Sequence, residues 1–393
     1  MKELQPFRIH PLTFALIALI FGCKDKFYDS QSTHLTEVGI SYKVDPGNAT
    51  EANLSDLVAE VEYTRLKLPP EIFFSQTLKV IHHNDHFYFL DQLPRSTEAK
   101  IFCFDQSGNF KYVIDEMGHG PGEYTGIQDF DVTDEYVIIY AAQNGDFLFY
   151  NNESGQFVKS MDRANLSSSS FSVLDGNTIL MEAGRFEHNK PKTQLKVYDM
   201  EAKDVIYEDV PFNNPSLKMS HIYRYTFTAR DTVSTLPMYS QIVYRAYKQD
   251  GSYLIKPAYE LDFGDYWIPN HILANSYKNR NQFFDSYKDF VNTAEVFETD
   301  HIIYAYYQLH GENHTFIHDR RTDKSLDVTS FNDNSIGWLG KPLATQGDWV
   351  VNLVAPFEIE DAGIKPNGQL KEILDQTTDE GQPILVKVKF KVE

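Results

Sequence analysis

The chain has 393 residues, of which 42% are hydrophobic and 14% aromatic, so it has enough apolar side chains for a sizeable core and is not a disordered protein. Its 36 basic and 56 acidic residues give a net charge of −20. This excess of acid excludes a basic face that binds nucleic-acid phosphates, and it disfavours adhesion to an anionic membrane by charge alone.

The first residues have the features of a bacterial export signal. Lys2 and Arg8 precede an apolar run at residues 11–21, which is shorter than a membrane-spanning helix requires. The run ends at Cys23 and resembles a lipobox, the site where a cysteine becomes lipid-modified, although Phe21 departs from the small residue usual at its position. We therefore predict lipid attachment at Cys23, with a plain signal peptide or a buried N-terminal segment as the alternatives.

This start predicts three parts of the chain. Residues 1–22 are the predicted lipoprotein signal peptide, residues 23–60 a lipid-anchored polar tether and N-terminal segment, and residues 61–393 a folded domain. The lipid would make the membrane a partner of the protein.

From residue 61 onward, short β runs alternate with turn residues, which predicts a propeller or a sandwich. Turn signals such as Asn84-Asp85 separate the runs. The pattern indicates six units, at residues 61–115, 128–161, 170–210, 223–263, 293–319 and 325–355. About 330 residues, or roughly 55 per unit, suit six four-stranded blades with insertions. Seven blades or an imperfect five are the alternatives.

Two segments interrupt this rhythm. Residues 270–292 predict a helical or loop insertion whose aromatic rings pack on a blade rather than bind a ligand. Four aromatic residues in it are at helical spacing: Phe283, Phe284, Tyr287 and Phe290. Residues 356–382 predict a second insertion, with a helix over residues 368–376.

The last run, at residues 384–392, alternates between apolar residues and lysine. One face carries Val386, Val388, Phe390 and Val392, and the other carries Lys387, Lys389 and Lys391. A terminal strand usually closes a propeller by completing a blade begun at the other end, so we expect it to pair with residues 61–68. The lysine face favours an exposed edge strand.

A glycine-rich motif at residues 118–124 joins the first unit to the second. Its glycines permit positive φ or close backbone approach, and proline restricts the residue before it to extended geometry. We interpret the motif as a structural corner in which the glutamate accepts backbone N–H bonds. The residues concerned are Gly118, Gly120, Pro121, Gly122, Glu123 and Tyr124.

Together with the preceding "FDQSGNF" hairpin, this motif resembles the six-bladed β-propeller lipoproteins of Bacteroidetes, a family related to NHL-type propellers. The segments "YELDFG" at 259–264 and "GQPILVKVKFK" at 381–391 match the family as well. The resemblance implies an all-β, six-bladed β-propeller with short helical or loop insertions. It also implies an outer-membrane lipoprotein of the cell envelope, facing either the periplasm or the outside.

Histidines and aspartates are the candidate metal ligands. His310, His314 and His318 are spaced at four and could bind zinc, but a turn at Gly311 favours an exposed polar strand face instead. A second histidine group gives a weaker signal: His82, His83 and His86.

Three aspartates follow the glycine motif: Asp129, Asp131 and Asp134. Their spacing is not that of an EF-hand, so solvated carboxylates beside a turn are favoured over calcium binding. We predict no metal and no cofactor.

Two tryptophans are candidate ligand-binding residues. Trp267 and Trp338 each lie close after a glycine, near predicted loop mouths, where an indole ring could stack on a sugar; packing is the alternative for both. Trp349 begins an apolar run and is predicted to lie in the core. Cys103 stands between two phenylalanines, which predicts a buried, inert thiol.

The sequence assigns no catalytic residue, because it has no Gly-x-Ser-x-Gly, P-loop, His-Glu-x-x-His or dinucleotide fingerprint. We expect a non-catalytic binding or scaffold protein of the cell envelope, with glycans or peptides as ligands. One alternative is a polysaccharide lyase or hydrolase with a site in the propeller channel. The other is a structural partner of an outer-membrane protein complex.

Overall fold

The computed structural model describes residues 38–93, 96–141, 146–162, 168–183, 193–211, 226–229, 232–275, 277–376 and 382–392. The predicted signal peptide and Cys23 lie outside these residues. The described strands form six sheets, which confirms the predicted six-bladed all-β propeller. The first strand of each sheet lies innermost, and the six first strands contact one another around the axis.

The N-terminal segment wraps three blades before the first blade of the chain begins. It consists of β1 (Ser41–Lys43), β2 (Thr50–Asn53), the short helix α1 (Leu54–Leu57) and β3 (Val58–Arg65). β1 and β2 add parallel fifth strands to the outer edges of blades four and five, and β3 is the outer strand of blade six. The observed sheets therefore include residues 41–43, 50–53 and 58–60, which lie in the segment predicted to be a polar tether. A segment this polar can still belong to a sheet, because an outer edge strand buries little of its side chains.

Blades one to three each have four antiparallel strands in chain order. Blade one contains β4 (Thr77–His83), β5 (His86–Gln92), β6 (Ala99–Asp105) and β7 (Phe110–Ile114). Blade two contains β8 (Ile127–Val132), β9 (Tyr136–Ala141), β10 (Asp146–Asn151) and β11 (Phe157–Asp162). Blade three contains β12 (Ser168–Asp175), β13 (Thr178–Ala183), β14 (Thr193–Asp199) and β15 (Asp204–Pro211).

Blades four to six include the strands contributed by the N-terminal segment. Blade four contains β16 (Thr226–Ala229), β17 (Thr232–Thr235), β18 (Ile242–Gln249) and β19 (Ser252–Asp262). Blade five contains β20 (Ala294–Glu298), β21 (Ile302–Leu309), β22 (Glu312–Asp319) and β23 (Lys324–Asn332). Blade six contains β24 (Ala344–Gln346), β25 (Trp349–Val354), β26 (Ile384–Phe390) and β3.

The core lies between the blades. Each of six hydrophobic clusters fills the space between one pair of neighbouring blades. In β9, Val137 and Ile139 face blade one while Ile138 and Tyr140 face blade three, because successive strand residues point to opposite sides. A central strand covered on both faces is therefore apolar at nearly every position, as this one is.

The two ends of the chain close the ring within blade six. β26 pairs antiparallel with β3, with Val388 opposite Val61, which confirms the predicted pairing. The expectation of an exposed edge strand is wrong, since β26 lies between β25 and β3. Its lysines have partners there: Lys389 lies 3.1 Å from Glu60 and 4.5 Å from the centre of the Trp349 ring.

Two predicted strand assignments near the end of the chain are wrong. Residues 325–330 belong to blade five, because β23 pairs with β22 and not with blade six. Residues 338–343 form no strand. Trp349 is half-buried rather than a core residue.

Both predicted insertions contain helices. The first has α2 (Asn270–Ala274) and α3 (Arg280–Tyr287), and the second has α4 (Pro356–Asp361) and α5 (Gly368–Asp375). α3 begins where the Asn279 side chain accepts a hydrogen bond of 3.0 Å from the Gln282 N–H. Phe283 is fully buried beside Tyr287, so the aromatic residues of the first insertion pack as predicted.

Candidate functional site

Strand direction gives the propeller two different faces. Because neighbouring strands within each blade are antiparallel, the crossings from one blade to the next all lie on the same face, and so do both helical insertions. We call this the crossing face. The hairpin turns that join the first two strands of each blade lie on the opposite face.

A cleft of about 910 Å³ opens on the crossing face between blade five and the second insertion. We call it the blade-five cleft. Hydroxyl and amide side chains dominate its lining: Asn313, Thr329, Ser330, Asn332, Ser335 and Asn367. Tyr306 and Phe331 add aromatic surface, and Asp333 and Lys365 are its charged residues. Such a lining can exchange many hydrogen bonds with a neutral polar ligand.

Hydrogen bonds fix the wall of the blade-five cleft that follows β23. Asp333 accepts from the backbone N–H of Ser55 at 3.3 Å and from the Ser55 hydroxyl. The backbone N–H of Trp338 donates to Asn334 Oδ1 at 3.0 Å, and the side-chain amide of Asn334 donates back to the backbone carbonyl of Trp338 at 2.6 Å. The wall is therefore preorganised, which lowers the entropy cost of binding a ligand.

Trp338 lies at the floor of this cleft. Its side chain is only 1% exposed, and its Nε1 donates a hydrogen bond of 3.3 Å to the Tyr304 hydroxyl. Phe390 packs edge-on against the indole at 5.4 Å. The geometry of Trp338 is that of the packing alternative: the ring supports the cleft and offers no free face to a ligand.

Trp267 lies in a separate hollow of about 500 Å³ on the crossing face of blade four. The residue is half-buried, and the Phe263 ring lies nearly parallel to it at 5.6 Å. The predicted binding role of Trp267 stays a prediction. The structure separates it from Trp338, since the two line different hollows.

A central channel of about 500 Å³ is lined by the inner strands. Several of its charged side chains are paired: Lys79 with Asp129 at 2.9 Å and Lys341 with Glu295 at 2.7 Å. Burial lowers the pKa of His82 to about 4, so this histidine is neutral at physiological pH. Because these side chains are paired or neutral, the described part of the channel lining should bind a charged ligand less well than its residue types alone indicate.

Two of the three aspartates after the glycine motif differ from the prediction of solvated carboxylates, and the third agrees with it. Asp129 is fully buried and Asp131 is 9% exposed, whereas Asp134 is exposed. Asp129 accepts from the Phe171 N–H at 3.0 Å, and Asp131 accepts from the Val173 N–H at 2.7 Å. The carboxylates of Asp129 and Asp131 therefore join β8 to β12. They supply hydrogen bonds between two inner strands that share no ladder of backbone hydrogen bonds.

The histidines near the β21–β22 turn also differ from prediction. His314 and His318 share a face of β22, as expected, but they are buried at 5% and 2% exposure instead of forming an exposed polar face. His318 packs against Tyr42 of the added strand β1 at 4.2 Å, and His314 stacks on Tyr307 at 5.2 Å. His310 lies in the turn and is exposed.

Metal binding has no support from geometry where the structure can be described. No group of three histidine, cysteine, aspartate or glutamate residues that could hold a metal ion occurs among the described residues. His83 instead pairs with Asp134 at 2.9 Å, across the turns of blades one and two.

The glycine motif is a corner stabilised by its own glutamate. Glu123 Oε2 accepts a hydrogen bond of 2.7 Å from the Gly120 N–H, as predicted for a structural role. A side chain at Gly118 would overlap Glu123, which explains the small residue there. Tyr124 is fully buried, and its hydroxyl lies 3.0 Å from the Ala99 carbonyl that accepts from it.

Several acidic groups have raised pKa values, but they lie away from the cleft. Burial raises the pKa of Glu182 to about 8 and the pKa values of Asp91 and Asp327 to about 6. None of the three lines the blade-five cleft. Cys103 is buried, as predicted, and burial raises the pKa of its thiol to about 11.

These features define the protein as a six-bladed β-propeller with a preformed polar cleft on its crossing face. Residues 39–389 match the model of DUF4934, a domain of unknown function, and the chain belongs to that family. A comparison with curated proteins gave no match. The finer resemblance to NHL-type lipoproteins stays a prediction.

Solved structures support the fold alone. A Bacteroides fragilis protein, named as a presumed exported protein, is 19% identical with a TM-score of 0.71, over 89% of this chain and 100% of that one. The Myceliophteria thermophila Cps50 (Swd1) propeller domain has 8% identity and a TM-score of 0.38, over 71% and 93% of the two chains. Kuenenia stuttgartiensis hydrazine synthase has 9% identity and a TM-score of 0.37, over 81% and 89%. The last two similarities are too low to support an argument.

The helices of the described residues are short. None of them is both long and apolar enough to span a lipid bilayer.

Proposed function

We propose that the protein is a non-catalytic binding protein of the cell envelope that holds a neutral glycan in the blade-five cleft. The observation behind this proposal is the lining of the cleft, in which hydroxyl and amide groups outnumber charged ones. Sugars offer hydroxyl groups in pairs, and such side chains can donate to them and accept from them. The net charge of −20 also suits a neutral rather than an anionic polysaccharide.

An extended peptide fits the cleft less well. Peptides often bind by adding a strand to a free sheet edge. Beside the cleft, β23 is paired with β2 as far as Asn332, whereas its pairing with β22 ends at Val328. An added peptide strand could pair there with residues 329–332 only, so side chains supply most of what the cleft offers to a ligand.

The non-catalytic part of the proposal rests on the position of the titratable groups. A glycosidase usually needs two carboxyl groups facing each other across the scissile bond. Asp333 is the carboxylate of the cleft lining, and it already accepts two hydrogen bonds from Ser55.

The envelope location rests on the sequence features of residues 1–23. In this proposal the chain is exported and Cys23 is lipid-modified. Cells that express the protein with radioactive palmitate should yield a labelled band, and Cys23→Ala should abolish the label without lowering the amount of protein. A wild-type band without label would exclude the anchor and leave glycan binding to be judged separately.

The glycan proposal is tested by thermal melting of the purified chain with neutral hexasaccharides of glucose, mannose, xylose and N-acetylglucosamine. A ligand at about a hundred times its Kd adds about 2.7 kcal/mol to the free energy of unfolding. We expect a shift with at least one hexasaccharide, and we expect Thr329→Ala combined with Asn367→Ala to reduce it. Those two residues are exposed on opposite walls of the cleft.

Ser252→Ala is the matched control, because Ser252 is exposed at the opposite face. The control should keep the shift. A shift with an uncharged Ser/Asn-rich peptide but with no glycan would replace the glycan by a peptide. No shift with any probe would contradict the binding proposal and favour the scaffold alternative, and release of shorter sugars would favour the enzyme alternative.

A further inference from the structure

Trp267 has a rigid position in a hollow that is distinct from the blade-five cleft. It follows a 3₁₀ turn (Gly264–Tyr266) at the end of β19. The next residue, Ile268, donates a backbone hydrogen bond of 2.9 Å to the Val291 carbonyl, and the Val291 N–H donates back to Tyr266 at 2.8 Å. The backbone on both sides of Trp267 is thus fixed at one wall of the hollow.

One face of the indole is covered and part of the ring stays accessible. The Phe263 ring stacks on the indole, with 5.6 Å between the ring centres and an interplanar angle of 26°. Phe263 is itself fixed, because it is 1% exposed and packs edge-on against Tyr307 at 5.0 Å. Trp267 is half-buried and lines the hollow, and it also packs against the cluster of buried residues that contains Ile268 and Phe283. A preordered aromatic face loses little entropy when a flat apolar surface binds to it.

Planar polar side chains surround this aromatic face. The lining includes Gln241, Glu260, Asp265 and Asn270. Gln241 Oε1 accepts from the Phe263 N–H at 2.9 Å, which fixes the amide and leaves its nitrogen without a partner among the described residues. Asp265 and Asn270 are exposed. Carboxylates and amides can each bond two neighbouring hydroxyl groups of a sugar ring.

Backbone strain occurs in the same hollow. Tyr239 lines it with a φ of 57°, a left-handed conformation that costs a residue with a Cβ on the order of 1 kcal/mol. Its ring packs edge-on against Phe283 and Tyr287 of the first insertion, at 6.0 and 6.4 Å. The insertion thereby holds Tyr239 in its left-handed conformation. A strained residue persists only where the surrounding structure holds it, and such residues often occur at ligand sites.

We propose that this hollow, the Trp267 shelf, is a second binding site that takes one neutral pyranose ring. The apolar face of the sugar stacks on Trp267, and its hydroxyl groups bond Gln241, Asp265 and Asn270. The carboxylates of Glu260 and Asp265 repel anionic sugars, so a uronic acid binds more weakly than the neutral sugar of the same stereochemistry. This proposal does not depend on the blade-five cleft.

The test titrates the purified chain with methyl β-glucoside, methyl β-galactoside, N-acetylglucosamine and glucuronate, while tryptophan fluorescence is recorded. We expect a saturable change with a neutral sugar, and a Kd at least tenfold higher for glucuronate than for methyl β-glucoside. Trp267→Ala should raise the Kd at least tenfold, and Trp267→Phe should restore part of the binding because it keeps an aromatic face.

Three further variants show whether the sugar binds at the Trp267 shelf or elsewhere on the propeller. Trp349→Phe should leave the titration intact, because Trp349 lies in blade six beside Lys389. Thr329→Ala with Asn367→Ala should also leave it intact, which separates this site from the cleft. Asn270→Ala removes only an exposed amide, so it tests the site even where Trp267→Ala fails to fold. Lack of a saturable change with every sugar, or unchanged binding in both Trp267→Ala and Asn270→Ala, would overturn the proposal.

Discussion

Asp129 Oδ2 accepts a hydrogen bond of 3.0 Å from the backbone N–H of Phe171, in the next blade. Its other oxygen accepts from Lys79 Nζ at 2.9 Å, and Lys79 belongs to the preceding blade. One buried carboxylate therefore joins the inner strands of three consecutive blades.

We expect Asp129→Asn to lower the free energy of unfolding by about 3 kcal/mol, because it leaves the Lys79 ammonium in a nearly buried position without its counter-ion. Urea unfolding, read from the transition midpoint at unchanged slope, measures the loss. Asp134→Asn is the matched control: the Asp134 side chain is 84% exposed, so loss of its pair with His83 should leave the transition midpoint unchanged. Equal losses in the two variants would contradict this role of Asp129.

Glu182 should make stability depend on pH. Burial raises its folded-state pKa from 4.5 to about 8, so in this window the folded protein keeps a proton that the unfolded chain releases. The free energy of unfolding therefore falls as the pH rises. Glu182→Gln cannot titrate and should lose less stability than the wild type between about pH 5 and pH 8, by roughly 3 kcal/mol.

Urea unfolding at both pH values measures this difference, with Glu153→Gln as the control. Glu153 is exposed in a turn, so the free energy of unfolding of its variant should change with pH as that of the wild type does. If the free energy of unfolding of Glu182→Gln also changed with pH as that of the wild type does, residue 182 would not be the titrating group.

Gly122 should tolerate a side chain much less well than Gly251. Both glycines have left-handed backbones, with φ values of 81° and 80°. A Cβ at Gly122 would overlap the Phe157 ring, whereas a Cβ at Gly251 meets nothing within 4 Å. We expect Gly251→Ala to cost about 1 kcal/mol and Gly122→Ala at least about 2 kcal/mol, measured by thermal melting. Equal melting temperatures would show that the glycine-motif corner is loose.

Tyr42 should hold the added strand β1 against the propeller. Its ring packs edge-on against Tyr259 at 5.4 Å and lies tilted against His318 at 4.2 Å. Tyr42→Ala should therefore lower the free energy of unfolding by about 2 kcal/mol and shorten the hydrogen-exchange protection of β1. Ser41→Ala removes only a long hydroxyl contact of 3.4 Å and should change neither quantity. Full protection in Tyr42→Ala would mean that the backbone pairing alone holds β1.

Most strands could be predicted because a blade is covered on both sides and its central strands are apolar at nearly every position. The division between blades five and six could not. The turn between β22 and β23 has no glycine, and Asp323 adopts the left-handed conformation there with a φ of 56°. Asp323 is the one residue of a usual turn type between the two strands, which is a weaker signal than glycine that residues 325–330 fold back onto β22.

The burial of polar residues was the second feature that could not be predicted from the sequence. His318 is covered by Tyr42, a residue more than 270 positions earlier in the chain, and Asp129 is buried by its neighbour blade. Neither contact leaves a local pattern. The polar run at residues 330–335 was visible as a signal for the blade-five cleft, but its opposite wall at residues 362–367 is brought there only by the second insertion.

The added strand β1 has a consequence for the edge of blade four. β1 pairs with the outer strand of that blade, so a strand of the same chain covers backbone groups that would otherwise form a free sheet edge. Residues 41–43 thus protect the rim of the propeller from pairing with another chain.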